Sequence, residues 1–306
     1  IEAVTGGTGG ASLGPASTGR EMAETLTLRL MTEDEAARLG GWAAHEGWNP
    51  GHHDARIFWQ TDPEAFIAAE LDDELIGGGT IVSYHREFGF MGLFIVRPEF
   101  RGRGLGTQLW HARVRLLQSR LSGGAAIGMD GVFEMQDWYA QGGFAFAHRS
   151  IRYEGTGVDV MRAPGLVPAS EVPFERLAQY DRRCFPTWRE GFLRPWLEQP
   201  EALALAAVDG QTVQGYGVIR RCRVGGKIGP LFADDADLAE SLFTALAAHL
   251  PGEPIYLDVP EINAFAMGLA RRHEMREVFG TARMYLGPRP EIAESRIYGI
   301  TTFELG

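Results

Sequence analysis

The chain has 306 residues, 45% of them apolar, and a formal charge of -11. That length and apolar share suit one large globular domain or two ordinary ones, while the acidic balance argues against a general nucleic-acid role and fits a small cationic substrate better. With only two cysteines, Cys184 and Cys222, and no run of eighteen apolar residues, neither a disulfide framework nor a membrane span can be read, so a cytoplasmic protein with cysteines as core hydrophobes is expected.

Residues 1–23 are rich in Gly, Thr and Ala without an apolar period and read as a flexible leader. From Thr25, "TLTLRL" alternates as a strand, and "TEDEAARLGGWAAHEG" follows with a Thr cap, an acidic first turn and helical apolar spacing. Two strands then flank the acidic turn Asp72-Asp73-Glu74, and "FGFMGLFIV" is a nearly continuous apolar run suited to a central strand. A helix over 105–121, the strand "AAIGMDGV", the short helix "EMQDWYAQ" and the strand "FAFAHRSIRYEG" complete a first unit over 24–155. Pro and Gly become frequent over 156–168, which reads as a linker. The remaining chain, 169–306, repeats the same order of helices and strands, so an internal duplication of one α+β unit is the economical reading.

The stretch "VRPEFRGRGLGTQLW", residues 96–110, joins the central strand to a helix. A helix N-terminus exposes unpaired N–H groups and a partial positive charge, and a glycine turn feeding it lets an anion reach the backbone. Gly102, Gly104 and Gly106 with Arg101 and Arg103 suit a pyrophosphate. The dinucleotide pattern G-x-G-x-x-G fails, because Thr107 and Leu109 stand where the third glycine belongs; the nucleotide P-loop fails because the loop has no lysine.

These residues resemble the GCN5-related N-acetyltransferase (GNAT) superfamily. The signature V-x-P followed by R/Q-x-x-G-x-G/A is met by Val96-Arg97-Pro98 and by Arg101-Gly102-Arg103-Gly104-Leu105-Gly106, and a second element, F/W-Y followed by G-F, by Trp138-Tyr139 and Gly143-Phe144. The resemblance covers about residues 25–155 and implies two tandem α/β (α+β) units, each with a mixed, mainly antiparallel central sheet flanked by helices. It implies acetyl-CoA as cosubstrate and no metal, with the pyrophosphate on the amides from Gly102 to Thr107 and the pantetheine arm beside Phe94, Ile95 and Val96. Tyr139 matches the family's usual general acid.

The proton acceptor is less defined, since the strand before the loop has no carboxylate. Asp130, at the end of the next strand, is the first candidate, with Glu46 and Asp54 as alternatives acting through water. Glu46, Trp48, Asn49 and Asp54 fall in the segment "HEGWNPGHHD", where a large aromatic beside polar groups suits recognition of an amine. His52-His53-Asp54 makes a poor metal site, because adjacent side chains diverge and no distant ligand declares itself.

The second unit has "GPLFADDADLAE" in place of the glycine loop, and Asp234, Asp235 and Asp237 would cap their helix and repel a pyrophosphate. Ala270 and Glu274-Met275 replace the tyrosine and the Gly-Phe pair, so this copy reads as degenerate. Its expected task is to wall the acceptor pocket, through "YDRRCFPTWRE" and "YLDVPEIN". The resulting expectation is an N-acetyltransferase acting on a primary amine of a small cationic acceptor, with a non-catalytic acyl-CoA sensor as the alternative and with neither nucleic acid nor membrane as partner.

Overall fold

A computed structural model describes residues 26–159 and 165–306. The leader expected over 1–23 lies outside the described residues, as does the middle of the expected linker. The first half gives β1 (Thr27–Leu30), α1 (Glu33–His45), α2 (Asp54–Thr61), β2 (Phe66–Leu71), β3 (Glu74–Tyr84), β4 (Phe88–Val96), α3 (Leu105–Arg120), β5 (Ala126–Val132), α4 (Gln136–Gln141) and β6 (Ala145–Thr156). The second gives β7 (Leu166–Pro168), α5 (Phe174–Cys184), α6 (Glu190–Glu198), β8 (Ala202–Asp209), β9 (Thr212–Arg221), β10 (Gly226–Ala233), α7 (Ala236–Ala247), β11 (Pro254–Pro260), α8 (Ala264–Arg272), β12 (Arg276–Leu286) and β13 (Ile297–Gly299). The two successions match element for element until β13, which has no counterpart.

Local sequence explains several of these elements. At the start of α1 the Thr32 hydroxyl accepts from the Glu35 N–H at 3.3 Å while the Glu35 carboxylate accepts from the Thr32 N–H at 2.9 Å, a capping box that satisfies two otherwise unpaired donors. α6, which the sequence reading leaves out, carries Pro195 inside it and buries Phe192, Leu193 and Trp196.

The mainly antiparallel sheets expected for the two units are present and are continuous with each other. Among the described residues, all strands join one sheet of thirteen, in the order β1-β2-β3-β4-β5-β12-β6-β11-β10-β9-β8-β7, with β13 beside β10. The order reads the same from either end once each strand is exchanged for its counterpart. At the centre the halves trade their last strands: β12 pairs antiparallel with β5, β6 pairs antiparallel with β11, and β6 and β12 pair with each other. Each half would otherwise end on an open strand edge, and the exchange fills both with hydrogen-bonded neighbours. A period-2 pattern specifies a strand but not the chain segment beside it, so the trade is invisible in the pattern alone.

Two clefts follow from the topology. β4 and β5 run parallel and pair only from Phe88↔Ala126 to Met91↔Met129, then part, leaving the last residues of β4 without a neighbour on that side. Leu93, with φ 48°, sits in the irregular part of β4 where the register against β3 shifts. β10 and β11 pair in the same parallel way from Gly226↔Ile255 to Ile228↔Leu257 and then part, but there β13 enters and pairs with β10 through Leu231↔Gly299 and Phe232↔Ile297.

After β13 the chain runs buried between the halves, with Thr301, Thr302, Phe303, Glu304 and Leu305 all inside the molecule. The Tyr84 hydroxyl donates to the Leu305 carbonyl at 3.0 Å and the Arg189 guanidinium to the Gly306 carbonyl at 3.1 Å. A Cβ at Gly92 would overlap the Glu304 backbone carbonyl, so the tail lies directly on β4. Gly92→Ala is therefore expected to destabilise the protein by about 1–3 kcal/mol through overpacking, read as a lower melting temperature.

Candidate active site

The loop after β4 reaches α3 through two glycines in the left-handed region, Gly102 at φ 76° and Gly104 at φ 77°. Gly104 is the N-cap of α3 and supplies no side-chain cap, so the first amides of the helix are left for a ligand. A Cβ at Gly102 or Gly104 would meet nothing within 4 Å; glycine is needed there for its backbone conformation rather than for room. Gly106 has ordinary helical geometry, and a Cβ there would touch Val96 and Phe94 at ordinary distances.

An open groove of about 590 Å³ runs from this loop along the unpaired end of β4. Phe94, Ile95, Val96, Arg101, Gly102, Gly104, Gly106 and Thr107 all line it, together with Trp138 and Tyr139. Leu105, buried in the core, and Arg103, lying over the Phe100 ring at 5.4 Å, are expected here but do not line the groove. Arg101 is partly committed: it donates to the Val96 carbonyl at 2.7 Å and pairs with the Glu46 carboxylate. The open amides, the left-handed glycines and the splayed strand fit a coenzyme A pyrophosphate and its extended arm. The loop amides would hold the phosphates and the free edge of β4 would hold the arm.

Tyr139 lines this groove and also a smaller cavity of about 90 Å³ beside it. Trp48, Phe94, Val132 and Tyr139 line both spaces, so the two meet there. Tyr139 is 5% exposed and packs against Trp110 with ring centroids 4.8 Å apart. Burial pushes its hydroxyl up to about 12, against the pull of the neighbouring Arg113 cation, so it is held protonated and ready to donate.

The other expected site residues divide. Asp130 faces the cavity, fully buried, and accepts two bonds from Arg283 of β12 at 3.0 and 2.6 Å. Burial raises its pKa despite that cation, with Asp258 adding to the rise. Glu46 belongs to the cofactor groove, not the cavity, through its pairing with Arg101. Trp48 lines both spaces, while its carbonyl accepts from Arg152 of β6 at 2.9 Å.

Asn49 and Asp54 have different tasks from substrate binding. Asn49 exchanges two 3.0 Å hydrogen bonds with the Val224 backbone and so clasps the second half. Asp54 is buried in a two-point ion pair with Arg220 at 2.8 and 3.1 Å and lines neither space. Burial alone would raise its carboxyl, but Arg220 and Lys227 hold it below the usual range. His52 and His53 meet Glu201 instead of a metal, and among the described residues no group of three metal-ligating side chains is found.

The second half contributes to the cavity through segments that the sequence reading does not select. "YDRRCFPTWRE" and "YLDVPEIN" are occupied elsewhere, Asp181 pairing with Arg189 and Asp258 with Arg152, and neither segment lines it. Phe279 and Thr281 of β12 and Phe303 and Glu304 of the tail do. The floor holds Arg113 of α3, fully buried, which donates to the Thr80 and Gly92 carbonyls at 2.6 and 2.7 Å and whose remaining nitrogens have no partner. Burial lowers its pKa to about 9. The signal for Glu304 was a lone carboxylate inside the apolar run "ITTFELG".

In the second half, Asp235 caps α7 by accepting from the Leu238 N–H at 2.9 Å, and Asp234 accepts from the Tyr180 hydroxyl at 2.8 Å. The cleft between β10 and β11, counterpart of the arm site, is filled by β13. Glu274, at φ 52°, stands at the turn where the first half has Gly143 at φ 91°.

Comparison with known proteins finds related models in both halves. Residues 29–143 match the model of the Acetyltransferase (GNAT) family, and residues 177–299 match that of an Acetyltransferase (GNAT) domain. A holothin acyltransferase from Pseudoalteromonas sp. (strain SANK 73390) is 26% identical over 285 residues, covering 92% of this chain and 95% of that protein. A presumed acetyltransferase from Pyrococcus horikoshii shares the fold with a TM-score of 0.79 at 24% identity, over 92% of this chain and 96% of that one. A tandem GNAT protein from the clavulanic acid biosynthesis pathway shares it with a TM-score of 0.59 at 12% identity, over 87% of this chain and all (100%) of that one.

Proposed function

The chain belongs to the GNAT acetyltransferase superfamily as a tandem of two such units and is an acyltransferase, and we propose that it moves the acetyl group of acetyl-CoA to a primary amine on a small acceptor. The observation that carries this reading is the meeting of groove and cavity at Tyr139. A thioester held along β4 would present its carbonyl there, with the acceptor on the far side. The cavity's size and its cover by the second half favour a small molecule over a protein side chain. Asp130 is neutralised by Arg283, so Glu304 is the carboxylate lining the cavity that an acceptor arriving as a cation could meet.

The reaction needs a nitrogen lone pair and a proton for the departing sulfur. Tyr139 holds its proton at neutral pH and stands at the junction, so it donates to the sulfur. Trp48, Phe94 and Trp110 exclude water around the reacting carbonyl.

Thiol release from acetyl-CoA with a panel of primary amines tests the reading; coenzyme binding with no release on any amine would support the sensor alternative. Gly104→Val tests the loop separately. A β-branched residue in the left-handed region costs about 1–3 kcal/mol, so coenzyme affinity measured by calorimetry is expected to fall about tenfold, and unchanged affinity would remove the loop from the site.

A further inference from the structure

The buried boundary between the halves carries three cations, Arg152, Arg220 and Lys227, and three anions, Asp54, Asp258 and Glu304. Two Arg–Asp pairs account for four of these charges, Arg152 with Asp258 and Arg220 with Asp54. Lys227 reaches only the Trp48 carbonyl at 3.5 Å, and no hydrogen bond or ion pair to the Glu304 carboxylate is found among the described residues. Ion-pairing among protein groups therefore leaves Glu304 as the uncommitted anion, and it lines the cavity that Tyr139 also lines.

From this placement we infer that Glu304 is the proton acceptor for the incoming amine, delivered to the first half's cavity by the chain that follows β13. The inference rests on the transfer reading above. Asp130 is poorly suited to the task, since both its oxygens accept from Arg283. The Glu304 carboxylate takes one proton from the acceptor ammonium. The freed lone pair forms the C–N bond to the thioester carbonyl carbon as the C–S bond breaks, and Tyr139 gives its proton to the sulfur. The surplus proton on the new amide nitrogen returns to the Tyr139 oxygen, and Glu304 releases its own proton to solvent as the products leave.

The tail's path makes this delivery possible. β13 is anchored in the second half's cleft by pairing with β10, and Asn263 donates to the Ser295 and Ile297 carbonyls at 3.1 and 2.9 Å. From that anchor the chain crosses β4, the Glu304 backbone lying on Gly92, and Phe303 and Glu304 join Tyr139 in lining the cavity. The charged groups facing Glu304 are Lys227 of β10, Asp54 of α2, Arg152 of β6 and Arg220 of β9, with Asp130 and Arg113 across the cavity. Burial raises the Glu304 pKa against the pull of Lys227, which brings it nearer to that of an amine donor.

The test compares wild type, Glu304→Gln and the double variant Glu304→Gln/Lys227→Met, using thiol release from acetyl-CoA to benzylamine, tyramine and 1,4-diaminobutane, with coenzyme affinity measured alongside. In Glu304→Gln, kcat/KM is expected to fall about 10²-fold with coenzyme affinity unchanged and the acid limb of the pH profile lost. The double variant restores the charge balance at the boundary, so a base role keeps it slow whereas a purely structural role lets it recover. Recovery in the double variant, or a wild-type rate and pH profile in Glu304→Gln, overturns the assignment. Coenzyme binding with no release by the wild-type protein overturns the transfer reading and this inference with it, while loss of coenzyme affinity in Glu304→Gln overturns the inference alone.

Discussion

Tyr139→Phe is expected to lower thiol release about 10²–10⁴-fold, the range of a lost general acid, while coenzyme affinity stays within about twofold. The change removes one oxygen and keeps the ring, so the packing against Trp110, Trp138 and Phe144 is retained. Among the described residues no side-chain hydrogen bond to this hydroxyl is found, so its proposed partner is the leaving sulfur and the loss should fall on kcat. Steady-state kinetics with calorimetric titration of coenzyme A separates the two effects. An unaltered kcat would remove Tyr139 as the donor without touching the loop assignment.

Arg283→Met is the second large effect, and it falls on stability. Arg283 arrives on the exchanged strand β12 and is the two-point partner of Asp130 on β5, and both side chains are buried. Removing it strands a carboxylate in the interior, which costs about 3–5 kcal/mol. The pH dependence has a definite sign. The folded pKa of Asp130 already lies above the ordinary 3.8 and rises further without the cation, so the folded variant holds a proton that the unfolded chain releases. Its deficit against wild type is therefore smallest at pH values below the ordinary carboxyl pKa, widens as the pH rises from the wild-type folded pKa towards the variant's higher one, and is constant above that. Thermal melts at pH 4 and pH 8 measure this. Adding Asp130→Leu should recover part of the loss at the higher pH, and a Tm difference independent of pH would mean that Asp130 is not the stranded group.

Much of the candidate site was readable because it is local. The loop from Arg101 to Thr107 lies within seven consecutive residues, and Trp138-Tyr139 follows it at a fixed spacing on the next helix, so backbone geometry and one cavity wall could be inferred together. The duplication was readable for the same reason, as each unit repeats one order of elements. What escaped depends on contacts between distant segments. "FGTARMYLG" is recognisably a strand, but nothing in its alternation says that it pairs with β5 of the other half and brings Arg283 to Asp130. Asp54 and Asn49 looked like a substrate loop because they are polar among aromatics; their partners, Arg220 and Val224, lie more than 160 positions away. Glu304 escaped because a short apolar run gives no clue that it threads between two sheet halves.

The occupied cleft of the second half also bears on whether the protein can respond to coenzyme levels. β13 rests where an extended ligand would pair with the free edge of β10, but it is tethered to the same chain, and a tethered group competes at an effective concentration of roughly millimolar or above. A free coenzyme at lower concentration would have to displace it against that excess. The second half is accordingly in a permanently liganded condition, with no empty state from which a rise in coenzyme could be read. Of the two equivalent clefts, the one between β4 and β5 is the one left open to an extended ligand.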